Sequence, residues 1–337
     1  MSTVISEKAR PKRHLLQRFL SPRTIPMLAT VAVCLVLYLV ARSRHESFGT
    51  GQVFVDFLVD NAPIGIVAVG MTMVIISGGI DLSVAGVVVL CTVLIAKLII
   101  SFHLHPVACW GIVLCVGSGV GFLTGCVVRY FKIEPFIATL AGLFLARGIA
   151  YMISNETAIP TEHPFYTLMS GTGIPIGETW VGLPALVLLA VVAVGLYVTF
   201  FTPYGRRLFA IGGNEDAANL MGLPVGRTKV IVYMVSGFLA ALAAIVFTIT
   251  LPAGDPTGAD GWELDAIAAS VIGGTLMTGG SGNVFGTLIG VLILGIIKSG
   301  LDFENVSSYY MRIVMGGLLL IFVVLQRFLS AGAYRKD

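Results

Sequence analysis

The chain has 337 residues, 56% hydrophobic and only 12% charged, about half the charged fraction of a soluble protein. With a mean hydropathy of +0.94 too little polar surface is left to disperse a folded globule in water. Secreted, cytosolic-enzyme and disordered classes are excluded, and an all-α polytopic membrane protein remains. The net charge of +3 is too small to argue for a nucleic-acid partner, and Cys34, Cys91, Cys109, Cys115 and Cys126 lie in apolar runs without a CxxC pair, as small buried hydrophobes do.

A span needs about 20 apolar residues to cross about 30 Å of hydrocarbon. In chain order ten are expected, at 24–41, 57–77, 84–101, 106–128, 135–153, 180–201, 230–251, 264–279, 284–300 and 309–326. The basic start resembles a secretory signal, but no small-x-small cleavage site follows, so an uncleaved first span is expected. The organisation is a basic segment 1–23, one transmembrane domain 24–326 with a polar loop 202–229, and a tail 327–337.

Ten spans put both termini on one side. Fifteen Lys and Arg fall on that side, in 1–23, at Arg129 and Lys132, at Arg206, Arg207, Arg227 and Lys229, and at Arg327, Arg335 and Lys336. The other side has only Arg42 and Arg44, and its loops carry acids, including Glu162, Asp255, Asp260 and Glu263. By the positive-inside rule both termini are cytoplasmic. Trp110, Trp180, Trp262 and Tyr309–Tyr310 fall near span ends, as an interfacial aromatic belt does. The segments 264–279 and 284–300 are short and broken by glycines, which suits either closely packed helices or a re-entrant hairpin.

Four stretches carry the chemistry. In Ser77-Gly78-Gly79-Ile80-Asp81-Leu82-Ser83, Asp81 or Ser83 caps the next span, or the carboxylate lines a path for a polar substrate; the two readings are compatible. In the polar loop 202–229, Asn214 is placed to cap a short helix with Glu215 and Asp216 in its first turn, ended by Gly222 and Pro224. Its small residues Ala217 and Ala218 would let a partner protein approach closely. Lys97, Arg147 and Arg312 fall in or beside spans, where they snorkel or, for Arg147 above all, pair with a carboxylate or carbonyl, and Lys298 either snorkels or faces the pathway. His103 and His105 have no acid or thiol beside them and read as a loop. The chain has no G-x-x-x-x-G-K-[ST] loop and no plausible nucleophile or acid–base set, so it binds no nucleotide of its own.

These stretches resemble a known family. Glu215-Asp216-Ala217-Ala218-x-x-x-Gly222 is similar to the EAA-type coupling motif of permease subunits of ATP-driven importers, and Ser77–Ser83 to the family's G-x-D-L-S signature. Trp262–Ala268 and Gly273–Thr287 resemble the C-terminal block of the ribose/xylose/arabinose/galactoside permeases. Leu140-Ala141-Gly142, Arg147-Gly148, Ile159-Pro160 and His163-Pro164 resemble the galactofuranose branch. Two departures stand out: Ala85 precedes Gly86 where the signature has glycine directly, and Lys298-Ser299-Gly300 stands where many relatives have Asn-Gly.

The resemblance implies a type II-like permease of a sugar ATP-binding-cassette importer in the bacterial inner membrane. It implies a second permease, identical or related, two cytoplasmic ATPases that bind ATP and Mg, and a periplasmic sugar-binding protein, with no cofactor on this chain. A neutral polar sugar needs hydroxyls, amides and small residues along its path, for which Asp81, Ser83, Thr139, Asp265, Ser270, Thr275 and Asn283 are the expected set. Asn214, Glu215, Asp216, Ala217, Ala218, Met221 and Gly222 are expected to dock the ATPase, and the outer acidic loops to receive the binding protein. An ion-coupled secondary sugar transporter is the alternative, but it needs an ionisable group near the midplane, and Asp81 falls toward the cytoplasmic end.

Overall fold

The computed structural model describes residues 25–44, 50–161 and 163–304, with scattered residues from 310 to 324. Helix α1 (Ile25–Arg44) is followed by α2 (Gly51–Asp60) and α3 (Ala62–Ile76), which meet at a bend of 59°. The expected single span 57–77 is therefore a broken pair. Pro63 opens α3, where its ring would clash with the carbonyl four residues back in a continuous helix. Asn61 closes α2 by donating its backbone N–H and its side-chain amide to Phe57 O, at 3.2 and 2.9 Å.

Three helices follow within a residue or two of expectation: α4 (Ser83–Phe102), α5 (Pro106–Tyr130) and α6 (Pro135–Ser154). His105 caps α5, its Nδ1 accepting from Val107 N–H at 3.3 Å. The connection after α6 holds β1 (Ile159–Pro160), α7 (Pro164–Ser170) and the hairpin β2 (Gly173–Ile176) to β3 (Thr179–Gly182). After α8 (Leu183–Phe201) come two short helices, α9 (Pro203–Gly213) and α10 (Glu215–Leu220), and then the long α11 (Val225–Thr250). Strand β4 (Ala253–Gly254) returns to pair antiparallel with β1, and α12 (Trp262–Ile272) and α13 (Val284–Phe303) complete the described elements.

The expected helix 264–279 stops at Ile272. Gly274, Gly279 and Gly280 have φ of +90°, +82° and +72°, a conformation open to glycine and closed to a helix, so 273–283 is a turn-rich strip. Eleven helical residues rise only about 16 Å, and the strip completes the distance. Trp262 stacks edge-on with Phe247 near the end of α11, while Gly280 N–H donates to Ile76 O at 2.9 Å at the opposite end of the bundle. The expected span 309–326 lies largely outside the described residues. Among the described residues six helices are long and apolar enough to cross a membrane, and the bent α2–α3 pair makes a seventh.

The core lies on α3, α4 and α11. Every residue of α3 is buried, and α11 packs on α3, α4 and α5. In lipid the drive for this is close packing more than the hydrophobic effect, so small residues mark the contacts. Gly117, Gly121 and Gly125 present one face of α5 to α11; a Cβ at Gly121 would meet Tyr233 O at 2.2 Å, and one at Gly237 would meet Gly117 O at 2.2 Å. The apolar windows of α5, α6 and α8 are only 33%, 22% and 33% buried, which leaves these helices at the periphery.

Candidate functional site

The signature segment makes the turn between α3 and α4. Gly78 (φ +83°) reverses the chain after Ser77. The Asp81 Oδ1 atom then accepts from Ser83 N–H at 3.0 Å and from the Ser83 hydroxyl at 2.5 Å. Asp81 holds the first residue of α4, while Leu82 at the cap position offers no side-chain bond. The carboxylate is 1% exposed. Ser236 of α11 stands beside it, but neither Ser236 Oγ nor Asp81 Oδ2 completes a hydrogen bond of good geometry. Tyr233 covers the turn and donates to Ile80 O at 3.4 Å. The extra residue in the signature has a packing consequence: it is Gly86 whose Cβ would meet Leu143 O of α6, at 2.7 Å, while Ala85 is fully buried.

The other expected pathway residues scatter. Ser270 joins Thr72 (2.9 Å), and Thr72 joins Thr287 (2.6 Å), a hydroxyl cluster sealed between α12, α3 and α13. Thr139 is buried and donates to Pro135 O on its own helix at 2.8 Å. Thr275 is buried in the glycine strip, and Asn283 Oδ1 accepts from Phe285 N–H at 2.9 Å, capping α13. Asp265 sits half-buried in the first turn of α12. Asp81 and Ser83 are brought together by a hydrogen bond, and five of the seven are shut in the core. Thr72, Thr287, Tyr233 and Ser236 were not foreseen; each is a lone polar group in an apolar run, and its partners are far away in sequence.

Arg147 finds a carboxylate, Asp260, at 3.1 Å. That takes one of the acids expected to await the binding protein. Glu162 lies outside the described residues, as does Arg312. Lys298 turns to a cavity at the end of the bundle away from α10, together with Asp60 and Asn61.

The polar loop folds as its sequence suggests. Asn214 Oδ1 accepts from Ala217 N–H at 2.9 Å, and Glu215 and Asp216 occupy the first turn of α10. The helix closes in a Schellman arrangement, with Gly222 N–H donating to Asn219 O (3.0 Å) and Leu223 N–H to Ala218 O (3.1 Å), and Gly222 at φ +76°. Two expected contact residues are engaged within the chain. Ala218 is fully buried against Ile211 and Val225, and Glu215 forms an ion pair with Lys229 of α11. The residues that project are Asp216, Met221 and Leu220, the last two 70% and 89% exposed. Leu220 was missed because the motif reads as small residues followed by glycine.

The base of this unit touches both the end of α3 and the glycine strip. A Cβ on Gly212 would lie 1.8 Å from Ile76 O and 2.5 Å from Gly280 N, and one on Gly279 would lie 2.8 Å from Gly212 O. Three backbones thus meet with no side chain between them.

Residues 53–323 match the family model described as the permease component of the branched-chain amino acid transport system. The chain belongs to this family. The inner membrane ABC transporter permease YjfF of Escherichia coli is 43% identical over 91% of this chain and 93% of its own length. The ribose import permease RbsC of Haemophilus influenzae is 37% identical over 89% and 92%, and the fructose import permease FruG of Bifidobacterium longum is 36% identical over 93% of each. No solved structure matches the chain. As a permease component it is a transport subunit, and the signature turn, the α9–α10 unit and the glycine strip all fall inside the family match.

Proposed function

We propose that this chain is the membrane-spanning permease of an ATP-binding-cassette importer for a small sugar, working in the bacterial inner membrane with both termini cytoplasmic. A galactofuranose-like sugar is the favoured substrate, on the texture of residues 140–164. The observation that carries the reading is the α9–α10 unit: a capped helix presenting Leu220 and Met221 to solvent while its base abuts the end of α3 and the glycine strip. A soluble subunit seated on α10 would thereby move the backbone at 76–83 and 279–283 without any bound nucleotide on this chain. Two ATPase subunits binding ATP and Mg, a second permease copy or relative, and a periplasmic sugar-binding protein complete the importer. The relatives named for ribose and fructose import support the sugar class.

The test is uptake of radiolabelled sugar into proteoliposomes holding permease, ATPase and binding protein, with and without lumenal ATP. Accumulation that requires ATP and ignores ionophores is expected. Accumulation without ATP that collapses on adding a proton or sodium ionophore would overturn the reading in favour of an ion-coupled transporter.

A further inference from the structure

A cavity of about 360 Å³ opens at the end of the bundle away from α10, between the α2–α3 bend, the end of α11, the start of α12 and the last turns of α13. That volume lies in the range of small-molecule sites, about 300–1,000 Å³. Its wall is unlike the rest of the core. Asp60 and Lys298 both face it, near enough for the lysine charge to act on the carboxylate, yet they form no ion pair with each other. Asn61, Thr250 and Ser299 add an amide and two hydroxyls, and Trp262 supplies an aromatic surface. Two helices, α3 and α12, begin at this wall, with neither first turn capped by a side chain, and two others, α2 and α11, end there at Asp60 and Thr250.

We infer that this cavity binds one monosaccharide on its way into the membrane domain, an inference that rests on the sugar-permease reading. A sugar carries a hydroxyl on nearly every carbon, and each both donates and accepts. Its hydroxyls donate to the Asp60 carboxylate and accept from the Lys298 ammonium, spanning the gap between the two charges. Asn61, Thr250 and Ser299 serve the remaining oxygens, and the C–H face of the ring lies on the Trp262 indole. The position also fits a gate: the bend at Asn61 and the start of α12 head the two segments whose far ends meet at Gly212.

The chain has three tryptophans, so replacing Trp110 and Trp180 with phenylalanine leaves Trp262 as the sole indole reporter. The purified full-length permease is titrated with D-ribose, D-galactose and L-leucine. A saturable fluorescence change is expected with a sugar, and about tenfold or greater weakening in Asp60→Asn and Lys298→Gln, at an unchanged melting temperature. In the reconstituted importer the same two variants should raise the KM for uptake. No sugar signal, a leucine signal in its place, or affinities and KM unmoved by both variants would overturn the site. If ATP-driven sugar uptake by the unmodified importer succeeds while these tests fail, the cavity assignment falls alone; if that uptake fails, the permease reading falls first.

Discussion

Ala218 and Gly222 belong to one short motif and have opposite roles. The Ala218 methyl is fully buried under α10, where a larger side chain has no room, while a Cβ at Gly222 would meet nothing within 4 Å. What Gly222 supplies is its φ of +76°, which costs a residue with a Cβ about 1–2 kcal/mol and a β-branched one more. Gly222→Val is expected to unwind the end of α10 and spoil the presentation of Leu220 and Met221, leaving membrane insertion intact. Co-purification checks it: the tagged variant should retain less than about a third of the ATPase held by the unmodified chain. Full retention would count against α10 as the docking helix.

At the scale of elements, the proposed coupling rests on the short helices. Spanning helices move as rods, but α9 meets the ends of α3 and the glycine strip through bare backbone, so a displacement there passes on directly. Gly212→Ala drives a Cβ into Ile76 O and toward Gly280 N, forcing a backbone shift of about 1–3 kcal/mol and straining the Gly280–Ile76 hydrogen bond. The expected result is a lower melting temperature and fewer sugar molecules imported per ATP hydrolysed. Gly213→Ala, whose Cβ would meet nothing within 4 Å, is the matched control and should leave both unchanged. Equal behaviour of the two variants would remove the junction from the coupling route.

The molecule as a whole has a small-residue centre and a peripheral apolar shell. In the centre α11 meets Gly70 of α3 and the glycine face of α5 at backbone distance, and the outward faces of α5, α6 and α8 are left for lipid or a second permease. The expected orientation follows from charge, with Asp216 on the cytoplasmic side and Thr257 outside. In a cysteine-free background, Thr257→Cys in right-side-out vesicles should react with a membrane-impermeant maleimide, and Asp216→Cys only after permeabilisation. The opposite pattern would invert the topology.

Much of this was legible residue by residue, because the forces involved are local. The cap by Asn214, the stop at Gly222 and the Asp81–Ser83 turn act over two to five residues, and apolar length alone marks α4, α5 and α6. The break at Asn61 was signalled by Pro63, yet the apolar run across it read as one span; hydropathy counts transfer energy and not backbone continuity. The glycines of 264–279 divide between the two readings open to the sequence: Gly273 is a packing contact, its Cβ position 2.4 Å from Gly286 C, while Gly274 at φ +90° begins the turn that ends the helix. Three-dimensional packing alone sorted the polar groups. It sealed Thr139, Ser270 and Thr275 in the core, paired Arg147 with a residue 113 positions away, and set Asp60 facing Lys298 across open space. Pairings so distant in sequence leave no periodic or spacing signal, because they form only when helices far apart in the chain pack side by side.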